Sequence, residues 1–207
     1  KWMRHYANQS FMGNWDTYGV GSPRNARLYV RPTDNKFVPL FWDCDLCSFN
    51  NALIQHSNGS RLAEIRDIPH NLRLYWGHML DLIKVSFNAE YVERWAAHYN
   101  TLTSGRNYGR GMLFSNVAPV VGRRAAEALV AIEEAIPRVD FGITTPEGTE
   151  FDEVATIRGR GWIDVRNIRL AGDTVALDVF WPQTDEWEVQ LPVNLGENVI
   201  TLEAIDW

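Results

Sequence analysis

The stretch whose reading decides the fold is residues 13–45, GNWDTYGVGSPRNARLYVRPTDNKFVPLFWDCD. It holds two Trp-Asp pairs, Trp15-Asp16 and Trp42-Asp43, on either side of a β-rich segment. NARLYVRP (residues 25–32) and KFVPLFWD (residues 36–43) read as strands, and TDN between them is a turn signal. A hairpin brings the loop before its first strand close to the end of its second. Asp16 and Asn25 are therefore expected to converge with Asp43 and Asp45. Carboxylates and an amide gathered in one place suit a hard divalent cation, which takes oxygen ligands. They equally suit a general base beside a metal. The tryptophans would anchor each acid-bearing loop in the core. The plainer reading is that Asp and Asn at strand ends form turns and caps.

Composition narrows the classes. The 207 residues suffice for one large domain or two small ones. Hydrophobic residues at 45% and charged residues at 22% are ordinary globular values. A net charge of −6 argues against a sequence-independent grip on nucleic-acid phosphates. No apolar run approaches the roughly 18 residues of a membrane span. KWMRHYANQSF has no signal-peptide pattern, and NVITLEAIDW ends amid strand-like alternation. The chain is thus expected to be an internal piece of a larger polypeptide.

The pattern changes near residue 138. In IPHNLRLYWGHMLDLIKVSF, Leu72, Trp76, Met79, Leu80 and Ile83 recur at helical spacing. Asn88 is the expected N-cap of AEYVERWAAHYNTL, with Val92, Trp95 and Tyr99 on one face. After a Gly-rich connector, Val121, Ala125, Leu129, Ile132 and Ile136 make a third stripe. Arg123-Arg124 and Glu133-Glu134 read as a solvated face of that helix. Beyond Pro137 the alternation is that of four or five short strands, most simply an immunoglobulin-like sandwich left unfinished at Trp207. The expected fold class is α+β, with a hairpin-and-helix unit over residues 1–138 and a small all-β module over 139–207.

Other motifs carry less. Cys44 and Cys47 are spaced C-x-x-C but lack the further ligands of a zinc site. Two semi-buried thiols or a local disulfide is the simpler account. GVGSPRN lacks the phosphate-loop frame, and DCDLCSFNN lacks the Gly and Glu of a calcium loop. The histidines are scattered; His70 and His78, eight residues apart, are the nearest to a shared helical face. Trp162, Trp181 and Trp187 would stack on sugars if exposed, but in a small β module they read first as core.

The 13–45 segment resembles the core of the CotH kinases, the spore-coat-protein-H family. The likeness rests on Asp16-Thr17-Tyr18, then an Asn and an apolar-Tyr strand, a short turn, and a second strand ending Trp42-Asp43-Cys44-Asp45. LDLIKVSFNAEYVERWAAHYNTL is similar to that family's helical segment, and the closing β-rich text to Ig-like modules that follow such domains in large bacterial surface proteins. The resemblance implies the C-terminal portion of an atypical protein-kinase-like fold, using ATP and Mg²⁺ or Mn²⁺. It implies phosphoryl transfer to Ser or Thr of a surface protein, in an extracellular or cell-surface setting. Asp16 would then be the base, Asn25 the catalytic-loop amide on the metal, Asp43 the metal-binding acid and Asp45 a second ligand. The loop TYGVGSPR between Asp16 and Asn25 is longer than the family's, and the ATP-clamping lobe is absent, so the isolated piece is expected to be inactive. Nucleotidyl or glutamyl transfer would use the same residues. The alternative is a pseudokinase or adhesion module. Third comes a glycosidase, which would need two carboxyl groups about 5–5.5 or 6.5–9.5 Å apart.

Overall fold

The computed structural model describes residues 1–14, 16–18, 24–43, 47, 61–104, 114–150 and 152–207, with residues 61 and 62 described by backbone only. The chain is mixed α+β, with five α-helices and antiparallel sheets among the described residues. Asp45 and Cys44 lie outside the described residues, as do the tryptophan of the first Trp-Asp pair and residues 19–23 and 105–113.

The first helix, α1 (Trp2–Phe11), comes from a segment without an obvious stripe, yet it buries Met3, Tyr6, Ala7 and Phe11. It packs on α3 (Pro69–Val85), which follows the short α2 (Arg61–Arg66). In α3, Trp76, Met79, Leu80 and Ile83 are buried and Leu72 packs at the margin, as the spacing predicts. α5 (Val117–Ala135) completes this layer with Val121, Ala125 and Ile132. A short 3₁₀ turn, Phe114–Asn116, precedes it.

Asn88 does cap α4 (Ala89–Leu102): its side chain accepts from the Tyr91 N–H at 2.9 Å. The predicted face is rotated, however. Trp95 and Tyr99 are 50% and 45% exposed, and Ala96 is the buried residue. α4 packs on α5 with Ala89 close over Gly122, and the Trp95 and Tyr99 rings stay at the surface.

A hairpin, β1 (Arg27–Val30) and β2 (Phe37–Leu40), pairs Arg27 with Leu40 and Val30 with Phe37. Its turn closes through Asn35 N–H to Arg31 O at 2.9 Å, with Asn35 in the left-handed region at φ 53°. Both faces of the hairpin are largely open to solvent: Leu28, Tyr29 and Val30, consecutive on β1 and so alternating between the two sides, are exposed, as is Phe37 of β2.

Among the described residues the C-terminal part has six strands, more than the four or five the sequence suggests, because two are only two residues long. β3 (Gly142–Ile143), β4 (Val154–Arg160), β7 (Glu186–Pro192) and β6 (Val179–Phe180) form one antiparallel sheet in that order. β5 (Val165–Leu170) and β8 (Leu202–Asp206) form a second, with a bulge between Val165 and Asn167. Ala155 and Ile157 of β4, Trp187, Val189 and Leu191 of β7, and Val165 and Ile168 of β5 enclose a common core. Trp162, Trp181 and Trp187 are all buried, so none offers a sugar platform.

The turn between β4 and β5 enters the helical layer: Trp162 and Ile163 belong to the helical core. The Trp162 indole donates to Ile136 O at 2.7 Å, and the Trp207 indole donates to Ile163 O at 2.7 Å. The strongest tie is Arg73 of α3, only 4% exposed. One guanidinium nitrogen donates to Gly161 O (3.1 Å) and Thr184 O (2.6 Å). The other donates to Trp162 O (2.7 Å) and Val165 O (2.6 Å). The same group lies 3.3 Å from the centre of the Trp181 ring. A planar fork of donors matches four carbonyls in a way no ammonium can.

Arg124 corrects the solvated-face expectation. It is fully buried and donates to Phe11 O at 2.9 Å and Ser10 O at 3.1 Å, serving the open carbonyl end of α1. Arg123, Glu133 and Glu134 do face solvent.

Candidate functional site

The site begins where α1 stops. Gly13 takes φ 63°, which reverses the chain at little steric cost. Gly13 N–H bonds to Ser10 O and Asn14 N–H to Gln9 O, both at 3.0 Å, the double bond pattern of a glycine-terminated helix. This closure drives Asn14 into the interior, where it is fully buried, and leads the chain directly to Asp16.

Asp16 is half-buried and Thr17 beside it is 1% exposed. Asn25, at φ 55°, turns its side chain back onto Asp16: Nδ2 donates to Asp16 O at 2.8 Å and lies 3.4 Å from Asp16 Oδ2. The longer intervening loop therefore does not prevent the two residues from meeting. Asn25 also lines a shallow cleft between α1 and the hairpin, with Trp2, His5, Tyr18 and Arg27. Burial holds the His5 imidazole below its usual range, favouring the neutral ring. The Arg27 guanidinium stacks over Trp42 at 4.7 Å from the ring centre.

Asp43 sits at the other end of the hairpin, exposed and in the left-handed region at φ 51°. Such a conformation is uncommon for a residue with a side chain. Its carbonyl is held by Asn14, whose Nδ2 donates to Asp43 O at 3.2 Å and to Gln9 Oε1 at 2.8 Å. Asn14 also forms an isolated antiparallel bridge with Cys47. Cys47 is in a disulfide, the second of the two simple readings of the cysteine pair.

The hairpin thus ends with the Asp43 carbonyl on the side chain of Asn14, which stands two residues before Asp16. Sequence reasoning missed Asn14 and Gln9. The available signal was Gly13, because a glycine stop ahead of Asn-Trp-Asp fixes which side chain turns inward. As donors, the Asp16 and Asp43 carboxylates and the Asn25 amide oxygen are the kind a hard cation takes. Among the described residues, no three His, Cys, Asp or Glu side chains lie close enough together to hold a metal by themselves. No helix among the described residues is long and apolar enough to cross a membrane.

Comparison of the chain with family models, with curated proteins and with solved structures found no match in any of the three.

Proposed function

We propose that this chain is the catalytic-loop half of a metal- and ATP-dependent phosphotransferase of the CotH-like kind, acting on Ser or Thr of a surface protein. The supporting observation is the Asn25 amide bonded to Asp16, with the hairpin leading from Asn25 to an exposed Asp43. In this reading Asp16 Oδ accepts the proton of the attacking hydroxyl. Asn25 holds the Asp16 loop through the carbonyl bond and leaves its own amide oxygen for a cation. Asp43, whose carbonyl is already engaged, offers its carboxylate. Mg²⁺ or Mn²⁺, when bound, neutralises charge on the transferred phosphoryl group. The hairpin and helices would be the C-terminal portion of a kinase-like fold, and the two C-terminal sheets an Ig-like module. The disulfide at Cys47 suits an extracellular or cell-surface setting.

The second reading is a pseudokinase or adhesion scaffold, in which the two C-terminal sheets serve as an Ig-like module. Calorimetric titration with ATP in Mg²⁺ or Mn²⁺, on the chain and on Asp43→Ala, separates the two. Metal-dependent binding that disappears in the variant supports the phosphotransferase. No heat of binding in either protein leaves the scaffold.

A further inference from the structure

We infer that Asn14 is a positioning residue, setting the register between the Asp16 loop and the Asp43 loop. This rests on the phosphotransferase reading and names the residue that would keep its two carboxylates facing one site.

Four attachments converge on Asn14. Its backbone N–H bonds to Gln9 O at the end of α1. Its backbone bridges Cys47. Its side-chain amide donates at once to Gln9 Oε1 and to Asp43 O, the latter 29 residues away. Asn14 and Gln9 are both fully buried, so no solvent competes for these bonds. A buried amide that leaves Gln9 Nε2 and its own Oδ1 without partners is costly. An apolar side chain would fill the space without that cost, but it would not hold a carbonyl.

The residue held is in the left-handed region, where surrounding structure must over-determine the backbone. Without the Asn14 bond, Asp43 has reason to relax to a negative φ. That rotation would re-aim a carboxylate on an otherwise exposed loop. Asn14 thus acts through Asp43, by way of its carbonyl. Groups that orient metal ligands in this way typically change metal affinity roughly 10–100-fold when removed.

The test uses the 207-residue chain with Mn²⁺ and ATP as probes. Asn14→Ala should weaken Mn²⁺-dependent ATP binding roughly 10–100-fold at a temperature well below its melting point. Asn14→Asp, which keeps the shape and removes the donor, should do the same if the alanine variant does not fold. Equal affinity in wild type and variants overturns the assignment. A readout independent of the metal is the Cα and Cβ chemical shifts of Asp43, which report the left-handed backbone. They should lose that signature in Asn14→Ala and Asn14→Asp. If wild type binds no Mn²⁺ with or without ATP, the phosphotransferase reading fails by itself. The shifts then decide alone: unchanged at Asp43, they sink the positioning role; changed, they support it.

Discussion

Replacing Arg73 is the most informative perturbation of the fold. Its guanidinium serves four carbonyls of the β module and stacks on Trp181. Burial pulls its pKa down to about 9, against the upward pull of Asp164 and Asp185, so it remains a cation at neutral pH. Arg73→Ala takes a donor from four carbonyls, of which Trp162 O keeps the Val165 N–H at 3.1 Å, at about 1–3 kcal/mol for each left with no other partner and out of reach of water. It also removes a desolvated charge, which returns several kcal/mol. The net expected loss is about 3–5 kcal/mol, a large part of the 5–15 kcal/mol typical of a folded domain. For a chain of this size that lowers the melting temperature by about 6–20 °C. Arg73→Lys keeps the charge but cannot span four carbonyls or lie flat on the indole, so it should recover less than half of the loss. The assay is thermal melting followed by far-ultraviolet circular dichroism and by tryptophan fluorescence. In wild type the two signals should coincide. An Arg73→Ala protein melting within about 2 °C of wild type, with both signals still coincident, would refute the reasoning.

Two further outcomes follow from the same region. His78 packs edge-on to Trp207 with ring centres 4.6 Å apart, and its Nδ1 has no partner. Burial first, then Arg4, the N-terminal amine and Arg166, lower its pKa to about 4, while Asp81 acts in the opposite direction. The unfolded chain therefore binds the extra proton between its ordinary value near 6.5 and about 4, and stability should fall through that window as pH drops. The loss should be on the order of 2–3 kcal/mol, and His78→Gln should flatten that part of a denaturation-versus-pH curve. At Gly77, an added Cβ would lie 2.7 Å from Trp207 Cε2, so Gly77→Ala must displace the indole from Ile163 O. Urea titration should show a loss of about 1–3 kcal/mol, and a neutral result would mean that the indole bond contributes little.

How much of this was legible depends on the kind of signal. The stripes of α3 and α5 and the Asn88 cap are local patterns, and the structure reproduces them residue by residue. The hairpin followed from two strand-like runs around a turn signal, whereas the bond between Asn25 and Asp16, both ahead of the first strand, is set by the loop between them. Arg73 and Arg124 were harder because backbone carbonyls satisfy them, and any sequence supplies carbonyls. A faint signal existed: Arg124 stands three residues after Val121 and four before Ala128, within the buried stripe, and Arg73 three before Trp76. A cation on an apolar face marks a tie to another element, though not which one. The rotation of α4 was invisible, since Trp95 and Tyr99 have the spacing of a buried face whether or not a partner covers them. The bond that ties the Asp43 carbonyl to the end of α1 comes from an amide, Asn14, that a single sequence does not distinguish from a turn former.

Arg124 also bears on the order in which the chain can assemble. The helix it completes ends at Phe11, yet the donor arrives 113 and 114 residues later. During synthesis α1 emerges long before α5 exists to close its carbonyl end. Contacts of such long range form late and slow folding. Early intermediates should therefore contain α3 with an undocked, fraying N-terminal segment, and the loop carrying Asp16 should take its final form among the last steps.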